Sequence, residues 1–504
     1  MDMYLLSCAG GATRCGRSVT EPPVARSQTG HSPRIIKKIH RHAIRTTENS
    51  DVSQLNEIHK TTLDNGLTVV MREMHHAPVA SFWIWYRVGS RNEVSGITGI
   101  SHWAEHMLFK GTPTYPQGEF DKAVAREGGV FNGMTWIDFT TYFETLPSDR
   151  IDLALRVEAD RMVHAVFDPE EAELERTVII AERQGNENNP EYLMGEALQA
   201  AAFQAHSYHH SVIGWQCDLE TMTRDQLYGH YRTYYTPNNA VVAVAGDFES
   251  DTMLARIQEL FGGIPAGPTL PPFTAQEPPQ RGERRVTVEG PGSTSYLEIA
   301  YRAPRATDPD YYPLVVLDTI LGGAKGMSLW GGGASNRSSR LYRALVEADL
   351  ASDAGCGINS TVDPYLFSFS ATVREGRTLP EVEAALLAEV ARVMDDPITE
   401  AELQKAIKQT RAQFAYSSES VTDQGYWLGF SELVADVSWF ETFLDKLTAV
   451  TVADVQRVAQ TYFKPALRNV GWYVPANGQG APPEGAEIGH AGEVEHADEE
   501  MEAQ

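Results

Sequence analysis

Two stretches of this chain resemble each other, and each reads as the end of a helix, an aromatic-x-Pro turn and an apolar strand. Residues 227–248 read LYGHYRTYYTPNNAVVAVAGDF, and residues 455–475 read VQRVAQTYFKPALRNVGWYVP. Earlier in each half, residues 84–87 (IWYR) and 299–302 (IAYR) also correspond, each near the end of a strand. Similar segments in the two halves of one chain indicate a diverged internal duplication.

The duplication predicts two homologous α+β domains, each with a sheet rich in antiparallel strands that packs against helices. We expect these domains at 57–270 and 285–475, joined by a linker at 271–284 that overlaps the Pro-rich stretch IPAGPTLPPFTAQEPP. Residues 1–55 are rich in Arg, Ser, Thr and Pro, and residues 476–504 are acidic with almost no large apolar side chains. Both ends are predicted to be disordered.

Local patterns place several elements within these domains. Strands are predicted at 67–72, 80–88, 140–146 and 240–245, and helices at 151–164, 168–184, 379–394 and 400–416. The clearest helix start is at Asp168, where an N-capping Asp precedes Pro169 at the first helical position.

Composition excludes some classes of protein. The chain has 42 Lys and Arg against 68 Asp and Glu, a net charge of −26, which argues against nucleic acid as a partner. No apolar run approaches the ~18 residues of a membrane span. The four cysteines form no CxxC pair, so neither a disulfide framework nor a cysteine-built zinc site is expected. This favours a cytoplasmic protein; a periplasmic or organellar location stays open, because the basic, acid-poor N-terminal arm is also typical of a transit peptide.

The segment His102-Trp103-Ala104-Glu105-His106 carries the chemistry. On a helix, two histidines four residues apart share a face, and their imidazoles can bind one Zn²⁺ ion. Glu105 then projects beside the metal and can act as a general base towards a water molecule. Thr98 or Ser101 can cap such a helix, and Gly111 can end it. The alternative is a surface helix with two histidines by chance.

The stretch SHWAEHMLFKGT resembles the M16 family of inverted-motif (HxxEH) zinc peptidases, in particular small two-domain members such as the mitochondrial processing peptidase. In that family the third zinc ligand is a glutamate about 76 residues downstream, on a helix that reads roughly E-R-x-V-I-x-x-E. Residues 175–182 here read ERTVIIAE, and Glu182 follows His106 by 76 positions. The resemblance therefore implies Zn²⁺ bound by His102, His106 and Glu182. Glu175 is implied to support the site from behind the ligands.

Residues 128–133 (GGVFNG) and the strand from Thr140 resemble the family segment that forms an edge strand and binds a peptide as a further strand. The resemblance implies that Asn132, Gly133 and Thr140 contact the substrate. For Asn132 the alternative is a turn residue beside Gly133.

The second half departs from the family pattern. Active members carry an Arg and a Tyr in a segment like S-R-L-x-x-x-[IL]-R-E-x-G-L-A-Y-S, whereas residues 339–353 here read SRLYRALVEADLASD. Val346 stands in place of the Arg and Ser352 in place of the Tyr, and Arg340 and Arg343 lie out of register. Small family members form two-chain clamshells, so this chain is expected to be one half. We expect a heterodimer with a homologous subunit that supplies the pair; a homodimer is the second choice.

Three functions are compatible with these sequence features. The preferred one is a zinc endopeptidase that cuts peptides or unfolded polypeptides inside a closed chamber. The alternative is a non-catalytic M16-like assembly subunit that retains zinc, although such subunits typically lose motif residues that are all present here. An unrelated zinc protein would have to match the flanking residues and the duplication by chance.

Overall fold

A computed structural model describes residues 57–270, 272–326 and 337–476 of the chain. The predicted N-terminal arm and, apart from Ala476, the predicted acidic tail lie outside the described residues. The described residues of the proposed linker form no helix or strand before Arg284, where the next strand begins.

The first half contains a six-stranded sheet. Its strands are β1 (Ile58–Thr62), β2 (Thr68–Glu73), β3 (Val79–Tyr86), β4 (Val130–Thr135), β5 (Thr140–Pro147) and β6 (Ala240–Gly246). They lie in the order β1-β2-β6-β3-β5-β4, and only the β2–β6 pair is parallel. Strand β4 is therefore an edge strand that pairs with β5 alone among the described strands.

The second half contains a five-stranded sheet. Its strands are β7 (Arg284–Gly290), β8 (Tyr296–Arg302), β9 (Ala351–Ile358), β10 (Leu366–Val373) and β11 (Arg468–Pro475). They lie in the order β7-β11-β8-β10-β9, and β7–β11 is the only parallel pair among the strands described there. Without β1, the two orders and directions match strand for strand, so β4 corresponds to β9. The two-domain α+β fold predicted from the repeated segments is thus confirmed.

Helices surround both sheets. In the first half they are α1 (Ile100–Leu108), α2 (Glu119–Arg126), α3 (Asp152–His164), α4 (Pro169–Asn186), α5 (Pro190–Ala202), α6 (Gln216–Thr221), α7 (Arg224–Tyr234) and α8 (Ser250–Phe261). In the second half they are α9 (Tyr311–Gly322), α10 (Leu379–Asp395), α11 (Glu400–Tyr416), α12 (Val421–Val434), α13 (Val437–Thr448) and α14 (Val452–Tyr462). The four strands and four helices predicted from local patterns are all present, and their ends lie within two residues of the predicted ends. No described helix is long and apolar enough to cross a membrane.

Each half contributes a helix to the sheet of the other. Helix α5 packs on β7, β8 and β11, and α12 packs on β2, β3 and β6. Gly425 and Gly429, one turn apart on α12, allow a close approach, because a Cβ at either position would fall within 2.4 Å of the indole of Trp83 or Trp85. Strand β3 is consequently buried on both faces: Phe82 and Ile84 face the helices of the first half, and the two tryptophans face α12.

Candidate metal centre

Helix α1 carries the HxxEH segment, and all nine of its residues are buried. Its N-cap is Gly99, which has a left-handed backbone with φ of 87°. As a glycine it has no side chain that could accept a hydrogen bond. The predicted capping by Thr98 or Ser101 is therefore wrong. The carboxylate of Glu93 takes over this role, because it accepts hydrogen bonds from the backbone N–H of Gly99 at 2.8 Å and of Ser101 at 2.9 Å.

The loop before α1 is held by a second acid. Asp218, on α6, accepts hydrogen bonds from the backbone N–H groups of Gly96 and Thr98 and from the hydroxyl of Thr98. Because these donors precede the helix, the start of α1 is fixed from two directions. The helix ends at Leu108, and Gly111 instead closes an isolated bridge with Pro116, so the prediction that this glycine ends the helix is also wrong.

Three predicted metal ligands converge between α1 and α4. Nε2 of His102 lies 3.9 Å from Oε1 of Glu182, and Nε2 of His106 lies 3.7 Å from Oε2 of Glu182. One ligand atom from each of the three residues lies within 4.8 Å of the others. Ligands on a tetrahedral zinc ion at about 2.0–2.1 Å are separated by roughly 3.4 Å, so small side-chain movements would bring the three atoms to bonding positions.

Unsatisfied polar atoms indicate that the site is built for a cation. Within the described residues, the buried atoms Nε2 of His106 and Oε2 of Glu182 have no hydrogen-bond partner. Burial and the neighbouring His106 hold the pKa of His102 well below its usual value, which keeps this imidazole neutral as a metal ligand must be. Burial opposes protonation of His106, yet Glu175, Glu105 and Glu182 together raise its pKa. A field that favours a proton there also favours a metal cation.

Glu175 lies behind His106, as the family resemblance implies. Its Oε1 is 2.7 Å from Nδ1 of His106, which fixes the ring so that Nε2 points towards Glu182. The other carboxylate oxygen pairs with Lys110. Burial raises the pKa of Glu175, but the hydrogen bonds from His106 and Lys110 outweigh it and hold the pKa below its usual value. An ionised carboxylate in this position increases the basicity of the imidazole.

Glu105, the predicted general base, is 2% exposed on the same helix. Burial raises its pKa, whereas His106 and hydrogen bonds from the side chain and backbone of Thr135 lower it, and Glu182 raises it again; the net result is a raised pKa. A carboxylate whose pKa is raised accepts protons more readily near neutral pH. Thr135 is the last residue of β4 and α1 packs on β4, so the edge strand ends beside the proposed base.

The three predicted substrate contacts lie on or next to this edge strand. Asn132 uses its Oδ1 to accept the N–H of Gly133 at 2.9 Å, which is the turn-like role considered as its alternative. Gly133 has a packing reason, since a Cβ would lie 2.8 Å from Cζ of Phe109. Thr140 is fully buried, and its hydroxyl donates to the carbonyl of Val88 and lies 3.2 Å from the hydroxyl of Thr135. Their substrate contacts stay predictions, and for Thr140 a role in supporting Thr135 fits the geometry better.

The segment that departs from the family pattern leads into β9, the counterpart of β4. Val346 ends a short π-helical turn, and Ser352 is exposed on β9. Asp349, where the family pattern has Gly, is the only described non-glycine residue with positive φ, at 58°. Arg340 is held by Glu402 through two hydrogen bonds at 2.9 and 3.1 Å, so it is committed to α11. The backbone at Asp349 therefore has the left-handed conformation that suits the family's glycine. Val346 and Ser352 stand where the family has its Arg and Tyr.

Four further residues support the site and were not predicted from the sequence: Lys110, Thr135, Glu93 and Asp218. Lys110 lies two residues beyond the end of α1, and only its place close to His106 in sequence could have suggested a shared partner. Thr135 and Asp218 act through the tertiary fold, and Glu93 caps α1 from six to eight residues upstream. No sequence motif indicates these three roles.

Comparisons with known proteins identify the family. The sequence model described as Insulinase (Peptidase family M16) matches residues 68–215, and that of the Peptidase M16 inactive domain matches residues 221–410. An uncharacterized zinc protease of Mycobacterium leprae is 30% identical over 404 residues, covering 79% of this chain and 88% of the relative. A probable mitochondrial-processing peptidase subunit beta of Arabidopsis thaliana is 26% identical over 436 residues, covering 85% of this chain and 80% of the relative.

A solved structure gives the same answer at the level of the fold. The crystal structure of a protease from Helicobacter pylori matches with a TM-score of 0.79 and 28% sequence identity, covering 84% of this chain and 100% of that chain. The resemblance inferred from the HxxEH segment is therefore confirmed, and the chain belongs to the M16 peptidase family.

Proposed function

We propose that this chain is a zinc-dependent endopeptidase that hydrolyses peptides or unfolded polypeptides. The observation that carries the proposal is the convergence of His102, His106 and Glu182 beside the buried carboxylate of Glu105. Relatives named as zinc proteases support the choice of metal and of reaction class.

Each residue has a separate task in this proposal. His102, His106 and Glu182 would hold the ion, and Zn²⁺ when bound polarises carbonyl groups and makes water more acidic. Glu105 accepts a proton from the attacking water and passes it to the leaving amine, a transfer that its raised pKa favours. Glu175 and Lys110 keep the His106 ring in the orientation that binding requires.

The edge strand β4 supports a polypeptide substrate. Its outer side has no strand partner among the described residues, and its end contacts Glu105 through Thr135. A peptide that adds to β4 as a further strand would satisfy the backbone groups of that edge and pass beside the general base. This mode reads backbone rather than side chains, so it suits unfolded segments of varied sequence.

The dimer belongs to the same proposal. Because Val346 and Ser352 replace the Arg and Tyr of active members, a homologous partner subunit would supply these groups, and a second copy of this chain is the less favoured partner. The commitment of Arg340 to Glu402 supports this reading, since it leaves that arginine unsuited to replace the missing one. One relative is named as a beta subunit, in keeping with assembly from unlike chains.

The test uses the full chain with and without a homologous subunit that carries the Arg and Tyr. Zinc content and hydrolysis of an unstructured fluorogenic peptide are measured for the wild type and for Glu105→Gln. We expect one zinc per chain in both, hydrolysis only in the mixture, and its loss in Glu105→Gln. Full zinc-dependent turnover by this chain alone would overturn the need for a partner.

The alternative, an assembly subunit that retains zinc, is favoured by the same missing pair. It gives a different outcome in this experiment: zinc is bound, the two chains associate, and hydrolysis is absent for wild type and Glu105→Gln alike.

A further inference from the structure

The tips of the two corresponding hairpins meet. Asp138 lies between β4 and β5, and residues 359–365 join β9 to β10. The Oδ1 of Asp138 accepts the hydroxyl of Tyr208 at 2.6 Å, and its Oδ2 accepts the backbone N–H of Val362 at 2.9 Å. The Asp138 side chain is 1% exposed, so a carboxylate of the first half is buried against backbone of the second half.

Arg91 holds the same two hairpins. Its backbone N–H donates to the carbonyl of Ile137 at 2.7 Å, and its Nε donates to Oδ2 of Asp363 at 2.6 Å. His206 also reaches Asp363, at 3.2 Å. The Asp138 tip is thus enclosed by residues of three separate segments, which restricts its movement relative to the second half.

The base of the first hairpin reaches the metal centre. Thr135 ends β4 three residues before Asp138, and α1 packs on β4. The side chain and backbone of Thr135 lie close enough to the Glu105 carboxylate to favour its ionised form. Thr140 begins β5; its hydroxyl donates to the carbonyl of Val88 and lies 3.2 Å from the Thr135 hydroxyl. A short, doubly anchored turn transmits a displacement of its tip to its base, so the tie at Asp138 and the contact at Glu105 are mechanically coupled.

We propose that Asp138 is a positioning residue that ties the edge-strand hairpin to the second half and thereby sets the contact of Thr135 with Glu105. The proposal rests on the proposed peptidase function for its kinetic consequence. Removal of the carboxylate leaves the Val362 N–H and the Tyr208 hydroxyl without their buried acceptor, and water or movement of the loops must compensate. A displacement of about 1 Å at a reacting group can reduce the rate by about 100-fold.

The test compares Asp138→Ala, Asp138→Asn and Tyr208→Phe in the active complex. We expect Asp138→Ala to lower kcat by at least about tenfold with zinc content unchanged. Asp138→Asn keeps an oxygen for the Val362 N–H and should restore most of kcat. Tyr208→Phe removes one donor and leaves the Val362 bond, so it should have the smallest effect. A stable, zinc-loaded Asp138→Ala variant with wild-type kcat would overturn the proposal. A second contradicting outcome is an Asp138→Ala variant whose loss of stability parallels its loss of kcat, with neither restored in Asp138→Asn.

Hydrogen exchange separates this proposal from the proposed function. In Asp138→Ala we expect faster exchange of the backbone amides in residues 130–140, with exchange in α5 and α12 unchanged. If the wild-type complex hydrolyses no peptide, the peptidase function fails. The exchange result still shows whether Asp138 ties the hairpin to the second half. Unchanged exchange in residues 130–140 would exclude the coupling whatever the activity.

Discussion

The two halves share a sheet and differ in what surrounds its edge. In the first half the edge strand β4 lies beside α1 and ends against Glu105; in the second half its counterpart β9 follows a π-helical turn and carries Ser352. Ten of the 15 histidines lie between His59 and His230, and none lies between residues 285 and 475. The second half therefore has no imidazole with which to form a similar metal site. The sheet was duplicated, whereas the chemistry depends on the elements attached to one copy.

The largest effect should come from the metal ligands that only the first half possesses. His106→Ala removes one of three converging ligand atoms and exposes Glu175 and Glu182 to each other's charge. We expect bound zinc, measured by atomic absorption, to fall from about one per chain to near zero, because loss of a ligand costs more than the 10–100-fold of a supporting residue. The matched control is His164→Ala, which removes an exposed histidine paired with Asp160. Equal zinc loss in both variants would contradict the assignment.

A gain of function tests the second half. Val346→Arg combined with Ser352→Tyr restores the family pair on a backbone that already has the required left-handed residue. Donors that stabilise developing negative charge contribute about 100–1,000-fold to kcat, so we expect partner-independent peptide hydrolysis to rise by about 100-fold. Val346→Lys with Ser352→Phe is the control, since it keeps a charge and a ring but lacks the guanidinium and the hydroxyl. If both doubles remain inactive alone, the missing pair does not explain the need for a partner.

The acids at the two hairpin tips have opposite pKa shifts. Burial raises the pKa of Asp138 from 3.8 to about 6, because the hydrogen bonds of Tyr208 and Val362 and the charge of Arg91 offset it only in part. Burial also disfavours ionisation of Asp363, but hydrogen bonds and charges of His206 and Arg91 outweigh it and lower its pKa. Between pH 3.8 and about 6 the folded state therefore binds more protons at Asp138 than the unfolded state does. The contribution of Asp138 to the free energy of unfolding consequently falls as the pH rises, by about 3 kcal/mol over the whole range.

For Asp363 the sign is reversed. Its stabilising contribution is present above its ordinary pKa of 3.8 and is lost as the pH falls through its lowered pKa. Urea unfolding of wild type, Asp138→Asn and Asp363→Asn from pH 4 to 7 measures both. We expect the stability of wild type relative to Asp138→Asn to fall with rising pH, and its stability relative to Asp363→Asn to rise or stay level. Parallel curves for the two variants would show that the hairpin tips are not electrostatically different.

Much of this molecule follows from local sequence, and the remainder does not. The ligands could be identified because helical spacing joins His102 to His106, and because the family resemblance places Glu182 a fixed distance downstream. The duplicated strands could be recognised because each repeats a turn and an apolar run. In contrast, the exchange of α5 and α12 between halves depends on which sheet a helix covers, and helical periodicity records only that one face is apolar. The roles of Asp218 and Thr135 likewise arise from contacts between distant segments, whereas Glu93 caps α1 from six to eight residues upstream.

The smallest effect concerns Asp349, which keeps the left-handed conformation of the second-half segment without its glycine. A non-glycine residue in this region costs roughly 1 kcal/mol, whereas the half-exposed ion pair of Asp349 with Arg374 contributes little. Asp349→Gly should therefore raise the free energy of unfolding, measured by urea titration, by up to about 1 kcal/mol. Asp349→Asn is the control, because asparagine tolerates the same φ but cannot pair with Arg374. A loss of stability in both variants would mean that the ion pair with Arg374, rather than the backbone conformation, determines the stability at this position. A retained glycine turn would then explain less of the similarity between the two edge segments.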